Sequence, residues 1–344
     1  MAGTIRKAES SLMRRSPKLT LKDIARKADV SPANVSLVLR GSPLVADETR
    51  LQVQDLIASL GYVRDRGAAN LRSRTSQTIG LVLCELTNPF YSELIGGIDA
   101  VMDRSDRIAF IAHSAEDPIR QDRLIRRLRE QNVDGIILSA AEGTNPKIIS
   151  RLHEWNLPCV QTLRHIGRGR YDYVGPAIEA GVELAVEHLI RLGHRHIAYI
   201  GAARRTSPTR ERLAGFHRTL RRRKLEPGPI VRCPPTREDG ARAIRELLSS
   251  EDPPTAVVCY NDVCAFGVVL GLIESGRRLP RDFGVVGFDN IVDAALVRPA
   301  LTTIAIDPHR IGEESALLLL RRIADPDGRP ERVILPPRLI VRDT

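Results

Sequence analysis

LTLKDIARKADVSPANVSLVLRGSPLVADETRLQVQDLIASLGY, residues 19–62, is the stretch around which the chain is organised. Its spacing predicts three short helices. Thr20 is placed to cap the first, with Asp23 three residues on as an acidic form of the capping box. Ile24, Ala25 and Ala28 make that helix's apolar face. Ala28-Asp29-Val30 is long enough only to reverse direction, and Asp29 can take the left-handed backbone such a turn needs. Ser31 and Pro32 open the second helix, one as cap and the other where a missing N–H costs nothing. Arg40-Gly41 closes it. Val35, Val38 and Leu39 face inward, which leaves Ala33, Asn34, Ser36, Leu37 and Arg40 outward or on the flanks. A third helix, about Asp47 to Leu60, stripes Val53, Leu56, Ile57 and Leu60 and stops at Gly61. Two helices joined by a tight turn and clamped by a third make a helix-turn-helix unit, whose second helix reads the DNA major groove. The competing reading is a helical cap with no nucleic-acid role. The small, polar, non-acidic outer face of the second helix favours DNA.

Charge agrees with that reading. Residues 1–76 hold 14 Lys+Arg against 7 Asp+Glu, so +7 of the net +10 sits on under a quarter of the 344 residues. Such asymmetry is the footprint of phosphate binding. Residues 1–18 are basic and aperiodic, either a plain tail or an arm adding unspecific phosphate contacts. The five cysteines (Cys84, Cys159, Cys233, Cys259, Cys264) lack CxxC spacing, which suggests buried thiols in a reducing compartment and no zinc site. No apolar run approaches membrane-spanning length and no secretory apolar region lies near Met1, so the expectation is a cytoplasmic protein.

After Tyr62 comes VRDRGAANLRSRTSQ. Asp65 could cap a short helix, but one this size is marginal alone because nucleation is costly. Leu71 is isolated among Arg64, Arg66, Arg72 and Arg74, which suits either a basic linker or a wedge between base steps of the minor groove. From Thr78 the pattern changes. About ten continuous apolar runs, TIGLVLCEL first and RVILPPRLIVR last, alternate with amphipathic helical segments. That rhythm predicts parallel sheets covered on both faces, in two lobes, with a ligand cleft at the strands' carboxyl ends.

These blocks resemble the lactose-repressor/galactose-repressor (LacI/GalR) family of transcription regulators, from Leu19 to the C-terminus. The matching stretches include TLKDIARKADVSPANVSLVLRG, LRSRTSQTIGLVL, TNPFYSELIGGID, HLIRLGHRHIAYIG, RERLAGF, YNDVCAFGVVLGLIESG, GVVGFDN, PALTTI and LPPRLIVR. The resemblance implies an all-α helix-turn-helix DNA-binding head plus an α/β two-lobed periplasmic-binding-protein-like (type I) effector domain. Its expected divisions are a basic tail over 1–18, the head over 19–62, a hinge helix or linker over 63–76, and an effector and dimerisation domain over 77–344. Within the last, one lobe would comprise about 77–176 plus 305–335 and the other about 177–304 plus 336–344.

Function follows from the same resemblance. A homodimer, or a tetramer, would bind a pseudo-palindromic operator in double-stranded DNA, probing it with two recognition helices and two hinge leucines. Duplication supplies specificity that one small helix lacks. Thr20, Ser31, Pro32, Ala33, Asn34, Ser36, Leu37 and Arg40 would contact DNA from the head, and Leu71 and Arg72 from the hinge. Pro32, Ala33 and Leu37 occupy places where the family often has larger polar residues, so a known operator does not carry over. Phe90, Tyr91, Arg212, Asn261 and Asp289 would line the effector cleft, Arg212 gripping hydroxyls or a carboxylate with its planar fork. A structural alternative for Asn261 and Asp289 is helix capping. Ala177 and Ile178 stand where the family often has Asp-Asn, so a familiar sugar is not assumed. Arg204, Arg205 and Arg210 precede Arg212 and admit an acidic effector or a solvated loop.

No catalytic residue, metal site, cofactor or membrane partner is expected. His194 and His196 lack companions at ligand spacing, and no GxGxxG, Walker or GxSxG motif opens a helix. The alternatives are a ligand-binding protein, or a doubly wound α/β enzyme, without specific DNA binding. Leu71→Ala should weaken binding to the selected operator far more than to random duplex in a gel-shift titration. Equal losses on both would remove the wedge.

Overall fold

The computed structural model describes residues 19–39, 41–62, 75–167 and 171–344, and the chain divides into two compact units, residues 1–76 and 77–344. The expectations for the basic tail, Arg40, Leu71 and Arg72 lie outside the described residues.

In the first unit α1 (Leu21–Lys27), α2 (Pro32–Val38) and α3 (Asp47–Ser59) surround a core of Ile24, Ala25, Ala28, Val35, Val38, Val45 and Val53. Each helix ends where the sequence can turn left-handed: Asp29 at φ 52°, Gly41 at 67° and Gly61 at 59°. After α2 the N–H of Ser42 reaches Leu37 O and that of Gly41 reaches Val38 O, both at 3.0 Å, the paired bonds of a Schellman stop. Gln52 Nε2 of α3 donates to Ala28 O at 3.3 Å, fixing the third helix across the turn. Leu39 and Leu37 are both half-buried against this core, so Leu37 divides its surface between packing and solvent.

The second unit holds two six-stranded sheets. Strands β1 (Thr78–Leu83), β2 (Ile108–His113), β3 (Gly135–Leu138), β4 (Cys159–Thr162), β5 (Asp172–Pro176) and β11 (Arg332–Leu335) form the first, in order β11-β5-β4-β3-β1-β2 and all parallel. The second is ordered β12-β10-β9-β8-β6-β7, from β6 (Ile197–Ile200), β7 (Ile230–Val231), β8 (Ala256–Cys259), β9 (Gly284–Asp289), β10 (Thr303–Ala305) and β12 (Arg338–Ile340). Helices α4 (Phe90–Arg104), α5 (Pro118–Glu130), α6 (Lys147–Glu154) and α12 (Pro308–Ala324) serve the first lobe. The second has α7 (Ile178–Arg191), α8 (Ser207–Arg222), α9 (Arg237–Leu248), α10 (Asp262–Glu274) and the single turn α11 (Asp293–Leu296). Central strands such as β3 and β8 are buried at every residue, which is why they read as unbroken apolar runs.

Three features correct the sequence expectation. Twelve strands are present among the described residues, not about ten: DYVGP at β5 is not a continuous apolar run, because Asp, Gly and Pro interrupt it. Asp172 is buried there because Arg322 grips it at 2.7 and 3.2 Å and the Glu331 N–H bonds it at 2.8 Å. RVILPPRLIVR is two strands, not one, because Pro336-Pro337 sends β11 and β12 to different sheets. The second sheet is mixed, since β12 runs antiparallel to β10. The chain crosses between lobes three times, after β5, after β10 and between β11 and β12.

Helices α4 and α12 touch backbone to backbone. A Cβ on Gly97 would lie 2.0 Å from His309 O, and one on Gly312 would lie 2.2 Å from Leu94 O. Gly97→Ala should therefore destabilise the second unit by roughly 3 kcal/mol in urea unfolding. Gly96→Ala, whose Cβ meets only His309 Cδ2 at 3.9 Å, should be neutral or slightly stabilising. Equal effects would mean the helices can separate at no cost.

Candidate effector cleft and nucleic-acid interface

Helix α2 begins with the Ser31 hydroxyl accepting from the Asn34 N–H at 3.1 Å. Ser31, Pro32 and Ala33 are exposed, while Asn34, Ser36 and Leu37 are half-buried. Thr20 is exposed at the start of α1, but its N–H and hydroxyl both donate to Asp23, at 3.0 and 2.6 Å. That carboxylate is held below its ordinary range chiefly by the Thr20 hydroxyl. The exposed face of α2 is thus short and mostly uncharged, suited to close approach and to thymine methyls rather than to long-range phosphate capture.

Between the two lobes of the second unit lies a cleft of about 350 Å³, walled by the carboxyl ends of the strands and the starts of the following helices. Phe90, Tyr91, Arg212, Asn261 and Asp289 all line it. Phe90 and Tyr91 meet edge to face at 5.8 Å. The Tyr91 hydroxyl is engaged at 3.6 Å with Cys84 Sγ, and burial pushes this phenol far up, so Tyr91 acts as wall rather than as acid. Asn261 caps α10, its Oδ1 accepting from the Cys264 N–H at 2.9 Å, which leaves its amide N–H₂ for the cleft. Capping and lining are both true of it.

Arg212 comes from the second turn of α8. Its Nε donates to Tyr260 O at 3.1 Å, and its guanidinium carbon sits 4.3 Å from both the Tyr260 and Phe288 ring centres. Arg204 is not a free grip on a ligand: it lies 3.6 Å from Glu116 and 3.9 Å from Glu142.

Asp289 ends β9 at φ 119°, a strained backbone for a residue with a Cβ. Asn88, from the opposite lobe, donates to its Oδ2 at 3.1 Å. Burial raises its pKa to about 7, against the opposing pull of Arg212 and Asn88.

Sequence reasoning missed several groups here. Asn88 sits in TNPF and was legible as a polar residue beside Phe90. Glu116 and Arg164 form a buried pair, at 2.9 and 2.7 Å, from loops with no local signal. Asp262 is wholly buried, its Oδ2 accepting from the Ile291 N–H at 2.9 Å and its Oδ1 from the Thr303 hydroxyl. Burial and the neighbouring Asp289 push its pKa well up.

A helix-turn-helix head followed by a two-lobed sensor with a polar, aromatic-walled cleft defines the class of ligand-responsive bacterial DNA-binding regulators. The chain belongs to the lacI family of bacterial regulatory proteins: that family's model matches residues 20–65, and a periplasmic binding protein-like domain matches residues 186–344. It is 31% identical over 325 residues to the HTH-type transcriptional repressor PurR of Mannheimia succiniciproducens, covering 94% of this chain and 97% of that one. It is 31% identical over 327 residues to the ribose operon repressor of Haemophilus influenzae, covering 94% and 98%. The lac repressor dimer bound to operator and the anti-inducer ONPF superposes with TM-score 0.86 at 27% identity, over 95% of this chain and 99% of that chain. A CelR–cellobiose complex superposes with TM-score 0.73 at 30% identity, over 94% and 99%.

Asp289 gives the sensor a signed pH dependence. A carboxyl raised from 3.8 to about 7 favours the fold fully below pH 4, and that contribution is lost as pH rises through 7. The loss is on the order of 4 kcal/mol. Asp289→Asn should therefore exceed the wild type in stability at pH 8, with the difference vanishing toward pH 4 in urea titrations. A pH-independent difference would show that Asp289 is ionised throughout.

Proposed function

We propose that the protein is a transcriptional repressor that binds a pseudo-palindromic operator as a homodimer and is controlled by a small molecule in the interlobe cleft. The observation that carries this reading is the pairing, in one chain, of the α2 head with a cleft that places Arg212, Asn261 and Asp289 around one space. Self-association is supported by apolar residues left exposed on edge strand β2 (Ile108, Phe110, Ile111) and in the second lobe (Leu270, Ile273, Leu296).

Control works through the lobes. Besides Asn88–Asp289, the His165 N–H donates to Ser207 Oγ at 2.9 Å, His165 Nε2 meets Glu211 at 3.0 Å, and the Arg205 N–H reaches Glu142 at 2.7 Å. These bonds join opposite lobes, and a ligand that engages Asp289 or reorients Arg212 changes which of them persist. The lobe movement is passed to the head through residues 63–76. A coupling of ~1–3 kcal/mol would change operator affinity ~5–150-fold.

The test is a gel shift on upstream DNA with a metabolite panel, for the wild type and Arg212→Ala. The variant should keep the operator affinity of the free protein and lose the effector response. An unchanged response removes Arg212 from the site, and no preference for any duplex ends the repressor reading.

A further inference from the structure

Two arginines are buried in the cleft, and the protein treats them differently. Arg164 is 8% exposed and fully matched: Glu116 takes both of its terminal nitrogens, and Ala140 O accepts at 3.2 Å. Arg212 is 6% exposed, yet among the described residues it has one hydrogen bond and no carboxylate within 4.0 Å. The Tyr260 and Phe288 rings both lie against its guanidinium, at 4.3 Å, and Tyr260 O occupies its Nε side. What it presents to the cleft is therefore the edge carrying Nη1 and Nη2. A buried cation with an open two-pronged edge is costly unless an anion completes it, and the ring faces offset only part of that cost.

A second, independent feature carries the same sign. Helix α7 is 14 residues long and starts at the cleft, where Ile178 forms part of the wall. Ala177 offers no side-chain cap, so the positive end of α7 has none. Glu179, the acid of its first turn, is paired with Arg218. The two features adjoin: a Cβ on Gly181 of α7 would sit 2.8 Å from the Phe288 ring that covers Arg212. Asn261 adds a free amide donor. Four carboxylates also line the cleft: Glu116 is taken by Arg164, Glu85 accepts from its own loop at Leu86 and Thr87, Asp289 holds Asn88 on Oδ2, and Glu238 completes the set.

We propose that the cleft takes a small hydroxy acid, its carboxylate held by the Arg212 fork at the start of α7 and a hydroxyl donating to Asp289. This rests on the cleft being the effector site. An Arg–carboxylate pair of this kind is bidentate and charge-assisted, and the volume suits a compact molecule lying on Phe90 and Tyr260.

The experiment uses the full chain and matched pairs of probes: gluconate against glucose, galacturonate against galactose, and glycerate against glycerol. Thermal shift and calorimetry are read at low and high chloride, followed by a gel shift on the operator. At least one acid should bind while its neutral partner does not, and its affinity should fall as chloride rises. Arg212→Gln should weaken that acid on the order of 100-fold, and Arg212→Lys, which keeps the charge without the fork, should weaken it less. A neutral partner binding as tightly as its acid, or an acid indifferent to Arg212→Gln, overturns the proposal. So does a panel in which no acid binds. If some other metabolite then alters operator affinity, the repressor reading stands without this ligand class; if none does, effector control itself fails.

Discussion

The carboxylate of Asp262 is the interaction on which the cleft's second half depends. It has no access to water, and its two oxygens hold the Ile291 backbone just beyond β9 and the Thr303 hydroxyl in β10. Through its own place at the start of α10 it fixes Asn261 one residue earlier. Through Ile291 it fixes the turn that carries Asp289. Gly287 exists where it does because a Cβ there would meet Asp262 Oδ1 at 2.2 Å. Two cleft-lining groups are thus aligned by one residue that does not itself line the cleft, and a buried group so fully engaged leaves the backbone around it little freedom.

The two units solve opposite problems. In the head, three short helices are each stopped by a left-handed residue, so its small core is determined mostly by where chains turn. In the sensor, long-range ion pairs do that work: Arg322 reaches Asp172 from α12 to β5, and Arg107 just before β2 pairs with Asp134 just before β3 at 2.5 Å, across the end of the intervening β1. On the outer face, Arg218, Arg222 and Arg223 of α8 and its end alternate with Glu179, Glu183 and Glu187 of α7. Those exposed pairs add little individually. The buried ones set which strand can neighbour which.

What the sequence made readable follows from range of interaction. The three head helices were legible because capping and stopping are local: Ser31-Pro32, Asp29 and Gly61 announce themselves. Continuous strands such as GIIL and AVVC were legible because both of their faces are buried. Strand β5 was not, since Asp172 and Gly175 make sense only beside Arg322 and the folded-back Tyr173 ring. Cleft residues carried by motif blocks, Arg212 and Asp289 among them, could be named. That Arg204 is occupied by Glu116 and Glu142, while Arg212 stays unmatched, is a fact of packing between segments distant in the chain. No reading of spacing could have distinguished those two arginines.

Because three crossings stitch the lobes together, neither lobe is a contiguous gene fragment. Cutting after Pro176 strands β11 on the far side of the break, and cutting after Ala305 leaves β12 without its sheet. By contrast a single boundary, between Ser76 and Gln77, separates the head from everything after it. The sensor can be transplanted only whole, whereas the head can be exchanged by one splice. New operator specificities are accordingly open to chimeras and new lobe combinations are not.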